Sequence, residues 1–256
     1  MPPRTVSDLP EATISESGGI RYLHLDTPWV QGAMKIGAPR VLVLEYVQRM
    51  MAWMLWRPTA QIAQGTALQL GLGAGAITRF TQQVLRMPTT VVELNAQVVA
   101  ACRQWFHLSA DSARLQVVTA DAMVWLRRAP PQSVQVLCVD LYDHEAAAPV
   151  LDDEAFYRAC RAVLGEGGVM SVNLFGRRAS FARSMTRIAA AFGPDQLWHL
   201  QPTREGNTIA VATHTVAVPD RHTLLERADN IQSRFGLPAR KWLRLVRPWY
   251  PDSAPA

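Results

Sequence analysis

Residues 66–80, TALQLGLGAGAITRF, limit what this chain can fold into more than any other stretch. An apolar run, Ala67-Leu68-Gln69-Leu70, meets Gly71-Leu72-Gly73-Ala74-Gly75 directly, and helical spacing begins at Ala76. Strand, glycine turn and helix in that order is the entry to a nucleotide-binding α/β unit. The glycines permit positive φ and, lacking Cβ atoms, let a ligand lie against the main chain. Similar turns join strands to helices that bind nothing, so the weight of this one depends on the residues after it.

From residue 66 onward the chain alternates regularly. Strand-like apolar runs at 66–70, 90–94, 115–119, 134–139 and 169–174 alternate with helical spacing at 75–86, 96–107, 121–128, 153–164 and 178–192. Two further strands, at 196–201 and 208–213, are joined too closely for a crossover and must form an antiparallel hairpin. This is the element order of a Rossmann-like α/β domain, specifically the class I S-adenosylmethionine-dependent methyltransferase fold. The expectation is a mainly parallel seven-stranded sheet with a C-terminal antiparallel hairpin and helices on both faces. Ahead of it, two strands flank Gly18-Gly19, residues 27–39 read as loop, and 41–56 have helical spacing. The domain expectation is therefore an N-terminal β-hairpin and helix module at 1–59, the Rossmann-like domain at 60–218, and a helical tail at 219–256.

Composition removes several function classes. The chain has 256 residues, 49% of them hydrophobic, which suits one large domain with an appendage. The net charge of +5 is spread out, and its densest cluster, Arg234, Arg240, Lys241, Arg244 and Arg247, reads as a solvated helix face rather than a nucleic-acid site. No apolar leader and no apolar run long enough to span a bilayer are visible. The three cysteines are far apart in apolar surroundings, as core residues of a cytoplasmic protein would be. His24, His107, His144 and His199 show no metal-ligand spacing, so no metal and no prosthetic group are expected.

Ligands of doubly wound sheets sit beyond the carboxyl ends of the strands. Here strand one ends in Gly71, Gly73 and Gly75, strand two in Glu93, strand three in Asp121 with Ala122, and strand four in Asp140, Tyr142 and Asp143. Four consecutive strands thus bring a glycine turn or a carboxylate to one edge. Glu93 lies beyond the glycines by the roughly 20 residues that suit a carboxylate accepting from ribose hydroxyls. Asp121 is placed to accept an adenine amino group, or simply to cap the next helix. No Walker lysine is present, and the acids would repel a pyrophosphate. An adenosine bearing a sulfonium fits better than NAD or ATP. Asp140 and Asp143 would attract a cationic substrate, and one of a buried pair could serve as a base. The alternative for them is a helix-capping loop.

These residues, together with Val92-Glu93-Leu94-Asn95, Ala120-Asp121-Ala122 and Leu164-Gly165-Glu166-Gly167-Gly168, resemble the spermidine synthase (polyamine aminopropyltransferase) family over about residues 13–214. The resemblance implies a homodimer that binds decarboxylated S-adenosylmethionine as co-substrate and moves its aminopropyl group to a small cationic di- or polyamine. It implies Glu93 at the ribose, Asp121 at the adenine, Asp140 as the base and Asp143 at the polyamine. Gln31 and Tyr46 would close the pocket. Three positions depart from the family pattern. Ala74 stands where an aspartate usually pairs with the aminopropyl ammonium. Asp140-Leu141-Tyr142-Asp143-His144 replaces D-S-S-D-P. A tyrosine usual before the last strand has no counterpart in 201–206. Two other readings stay open: a methyltransferase using intact S-adenosylmethionine, which Ala74 favours, and an inactive nucleoside-binding relative.

Overall fold

The computed structural model describes residues 9–141, 151–175 and 178–250. Its centre is an eight-stranded sheet. The first five strands in it are β4 (Ala67–Leu70), β5 (Thr89–Glu93), β6 (Leu115–Thr119), β7 (Val134–Val139) and β8 (Leu164–Phe175). The last three are β9 (Leu197–Leu200), β10 (Asn207–Thr213) and β11 (Val246–Pro248). The spatial order is β11-β9-β10-β8-β7-β4-β5-β6. Without β11, and counted from β4, this is 3-2-1-4-5-7-6, the arrangement of the class I methyltransferase fold. β10 runs antiparallel to both β8 and β9, while β4 to β8 are parallel.

The expected seven strands are present, and β11 adds an eighth antiparallel to β9. Its three residues carry no pattern legible in sequence; the open edge of β9 makes them a strand, and Pro248 is tolerated because β11 is itself an edge. β8 begins at Leu164, directly after the helix Glu154–Val163 (α5), so Gly165 to Gly168 lie inside the strand rather than in a separate turn. Between Val134 and Val136 the pairing with β8 steps from Leu164 to Val169, an irregularity that accommodates these glycines. It also flips the side-chain alternation: Val134 packs on one face, while Val136 and Cys138 pack on the other.

Helices cover both faces, as a parallel sheet requires. One face holds α4 (Ala122–Arg128), α5 and α6 (Arg178–Phe192). The other holds α1 (Glu45–Met50), α2 (Ala76–Arg79), α3 (Ala96–Trp105), α7 (Arg221–Phe235) and α8 (Ala239–Leu245). The helix expected over 41–56 is α-helical only at α1 and continues as a 3-10 segment, Met51–Trp56. Every side chain of that segment is at most 2% exposed, so it is buried all round instead of on one stripe. Trp56 meets Trp198 of β9 at 5.1 Å between ring centres. The helix expected over 75–86 is α2 followed by a π-helical turn, Phe80–Val84, closed by Leu85 N–H donating to the Phe80 carbonyl.

The N-terminal hairpin is β1 (Ala12–Ser17) with β2 (Ile20–Leu25). A third strand, β3 (Gly32–Lys35), pairs with β2 inside the segment read as loop. This small sheet packs through Leu23 and Met34 against α3 and the glycine loop, which puts it over the carboxyl edge of the large sheet. Among the described residues no helix is long and apolar enough to cross a membrane.

Candidate active site

A cavity of about 630 Å³ lies along the carboxyl ends of β6, β5, β4, β7 and β8, roofed by β2, the segment 28–31 and the start of α1. Its floor is built strand by strand. After β4 the chain turns at Gly71 with φ +85°. A Cβ there would stand 2.1 Å from the Asp140 carbonyl oxygen, so only glycine lets β4 and β7 end side by side. Gly73 also lines the cavity, whereas Gly75 sits at the N-terminus of α2 with its open side toward Arg79. The variant Gly71→Ala is expected to lose about 3 kcal/mol of stability, combining a strained φ with a backbone clash. A thermal unfolding comparison with the parent protein checks it.

The glycine loop is fastened from behind by Arg79, which is 2% exposed. Its guanidinium donates to the carbonyls of Ala74 (2.6 Å), Phe106 (2.6 Å) and Pro39 (3.0 Å). Burial lowers its pKa to about 10, which leaves it charged near neutrality. The Cys102 thiol donates to the Gly73 carbonyl at 3.1 Å, and burial pushes that thiol's pKa up, so it acts as a neutral donor. The sequence marks Cys102 only as a core residue and does not single out Arg79.

β5 ends in Glu93. Its Oε2 accepts from the Leu72 N–H and its Oε1 from the Asn95 N–H, each at 2.8 Å. The carboxylate therefore ties the glycine loop to the start of α3 and keeps lone-pair capacity for a ligand. Burial raises its pKa; the amides of Asn95, Leu72 and Leu94 oppose this, and Asp140 adds a smaller upward push. Asp121, after β6, caps α4 by accepting from Val124 N–H at 2.8 Å. It also lines the cavity beside Ala122, so the capping and ligand-facing readings are compatible. Gln31 lies on the opposite wall, where its N–H donates to the Leu23 carbonyl at 2.8 Å.

Asp140, after β7, is held on both oxygens. Asn173 Nδ2 donates to Oδ1 at 2.9 Å, and the Tyr46 hydroxyl donates to Oδ2 at 3.3 Å. Asn173 is in turn oriented by Asn207, whose Nδ2 donates to Asn173 Oδ1 at 3.1 Å. That bond fixes the Asn173 amide so that its NH₂ must face Asp140. Burial raises the Asp140 pKa, and the bonds from Asn173 and Tyr46 oppose the rise. Sequence reasoning misses Asn173 and Asn207. The available signal is a polar residue inside the apolar run of β8. Tyr142 and Asp143 lie outside the described residues.

Ala74 is 2% exposed and does not line the cavity. Its Cβ packs on Gly32 of β3, where an added Cβ would come within 2.6 Å of it.

The region 66–176 matches the family model of the spermine/spermidine synthase domain. The chain is 30% identical over 234 residues to a polyamine aminopropyltransferase of Chromobacterium violaceum, covering 91% of this chain and 87% of that protein. The chain belongs to the polyamine aminopropyltransferase family. A second member, from Neisseria meningitidis, is 29% identical over 249 residues, covering 96% of this chain and 93% of that one. A probable spermidine synthase from Corynebacterium glutamicum superimposes with a TM-score of 0.71 at 18% identity, over 89% of this chain and 85% of that one. Family membership extends across both the small and the large sheet, because the aligned lengths take in nearly the whole chain.

Proposed function

We propose that the chain transfers the aminopropyl group of decarboxylated S-adenosylmethionine to a small di- or polyamine. The observation that carries this reading is the charge of the cavity wall. Glu45, Glu93, Asp121, Asp140 and Glu205 line it, and among the described residues no lysine, arginine or histidine does. The chain as a whole carries +5, yet none of its described basic side chains lines this surface. Such a wall favours a sulfonium donor and an ammonium-bearing acceptor over phosphates.

In this reading Glu93 accepts from the ribose hydroxyls and Asp121 from the adenine amino group. Ala122 and the backbone at Gly71 and Gly73 bound the nucleoside. Asp140 accepts the proton of the attacking amine, whose nitrogen forms a bond to the aminopropyl carbon next to sulfur. The carbon–sulfur bond breaks, and its electron pair neutralises the sulfonium as methylthioadenosine leaves. Most of the acceleration comes from aligning a neutral amine in line with that bond. Gln31 and Tyr46 close the pocket, and Tyr142 and Asp143 contact the polyamine. The same reading carries a homodimer, a cytoplasmic location, and the 1–59, 60–218 and 219–256 division.

Ala74 favours a second reading, methyl transfer from intact S-adenosylmethionine, because the glycine loop bears no acid to repel a methionine carboxylate. Calorimetric titration with both forms of the donor separates them. The expected result is binding of the decarboxylated form at least tenfold tighter, about 1.4 kcal/mol, with aminopropyl transfer to 1,4-diaminobutane. Equal or tighter binding of the carboxylated form, without such transfer, would favour the methyltransferase.

A further inference from the structure

We infer that Glu205 selects diamine acceptors, receiving the far ammonium while Asp140 receives the reacting nitrogen. This rests on the aminopropyl-transfer reading and deepens it.

Strand order divides the cavity into two halves. Along the carboxyl edge, Asp121 follows β6, Glu93 ends β5 and Gly71 follows β4, which assigns that half to the nucleoside. Asp140 comes after β7, next in order, and beyond it lie β8 and β10. An acceptor approaching from the side opposite the nucleoside lies across those two strands. Because β10 is antiparallel to β8, its first residue, Asn207, pairs with Phe175 at the end of β8. The turn before β10 therefore overhangs the same edge, and Glu205 of that turn lines the cavity. Two strand spacings separate β7 from β10, roughly 10 Å. That is the span of a short aliphatic diamine with one carboxylate at each nitrogen. The wall there also includes Leu141, Leu151 and Phe175, suited to a methylene chain.

The turn is held in place. Thr203 N–H donates to the Asn207 carbonyl at 2.8 Å, and Gly206 N–H to the Thr203 carbonyl at 3.1 Å. Gly206, at φ +97°, lies against the Phe175 ring, which an added Cβ would approach to 3.2 Å. Through Asn207 and Asn173 the turn is bonded to Asp140 itself. The separation between Glu205 and Asp140 is thus set by folded structure.

Charge singles out Glu205 from its neighbours. Glu45, on the same side of the cavity, is already neutralised by Arg49 at 2.8 Å and Lys241 at 3.3 Å. Ala74 supplies no carboxylate. Glu205 makes no hydrogen bond or ion pair among the described residues, so its charge is available to a ligand.

The test compares the parent protein with Glu205→Gln, using decarboxylated S-adenosylmethionine and two acceptors, 1,4-diaminobutane and 1-aminobutane. The variant should raise KM for the diamine about tenfold or more, with kcat, the donor KM and the monoamine KM changed less than about threefold. Glu205→Asp should recover part of the diamine preference. An unchanged ratio of diamine to monoamine kcat/KM in Glu205→Gln overturns the inference and leaves the aminopropyl reading standing. No transfer to either acceptor by the parent protein overturns both.

Discussion

Asp140→Asn is expected to lower kcat by about 10²–10⁴-fold, the usual contribution of a positioned general base, with methylthioadenosine affinity changed no more than about threefold. The substitution is nearly isosteric, so β7, the Gly71 turn and the nucleoside half of the cavity keep their shape. It removes the carboxylate that accepts from both Asn173 and Tyr46. Steady-state kinetics and calorimetric titration on the same preparation separate the two effects. Turnover within tenfold of the parent would dismiss Asp140 as the base. The pH dependence comes from its surroundings. A base works only when deprotonated, and burial raises the Asp140 pKa. Activity is therefore present above that raised pKa and is lost as pH falls through it. The acidic limb of the kcat profile should lie above the range of an ordinary aspartate, and Asn173→Ala should move it higher still by removing a bond that favours the charged form.

Glu93→Gln should have the second-largest effect, on binding rather than on chemistry. A glutamine presents an NH₂ group to one of the two amides, Leu72 N–H or Asn95 N–H, that the carboxylate now satisfies. Two donors then face each other, and the glycine loop loses its tie to α3. The bond to the ribose also loses its charge. A charge-assisted hydrogen bond contributes about 1.5–3 kcal/mol, so methylthioadenosine affinity should fall roughly 100-fold. Calorimetric titration measures it directly. Retention of full affinity would remove Glu93 from the nucleoside site and leave it a purely structural link.

Much of this fold and site is legible in the residues alone, and the reason is locality. Strand and helix periodicity, the glycine run and the carboxylate after each strand are all features of neighbouring residues. In a parallel sheet every such strand end is delivered to the same edge. So Glu93, Asp121 and Asp140 share one cavity as expected. The departures are equally specific. β3 and β11 became strands because β2 and β9 offered open edges to pair with. Residues 51–56 left the α-helical path where burial closed around every side chain.

The sequence by itself determined the order of the central strands and helices, the glycine turn, and the place of Glu93, Asp121 and Asp140 at the carboxyl edge. It did so because each depends on spacing along the chain. Only the tertiary structure decided how those acids are held and which groups surround them. Asn173 reaches Asp140 from 33 positions away and is oriented by Asn207 from 34 further on. Arg79 clamps the glycine loop through carbonyls of Pro39, Ala74 and Phe106, and Ala74 is turned against Gly32 instead of the cavity. Glu205 joins the wall because an antiparallel strand returns its turn to the edge where the parallel strands end. Beyond the polar Asn173 in an apolar run, none of these has a local signature, since hydrogen bonds and packing between distant segments exist only once the chain is closed on itself.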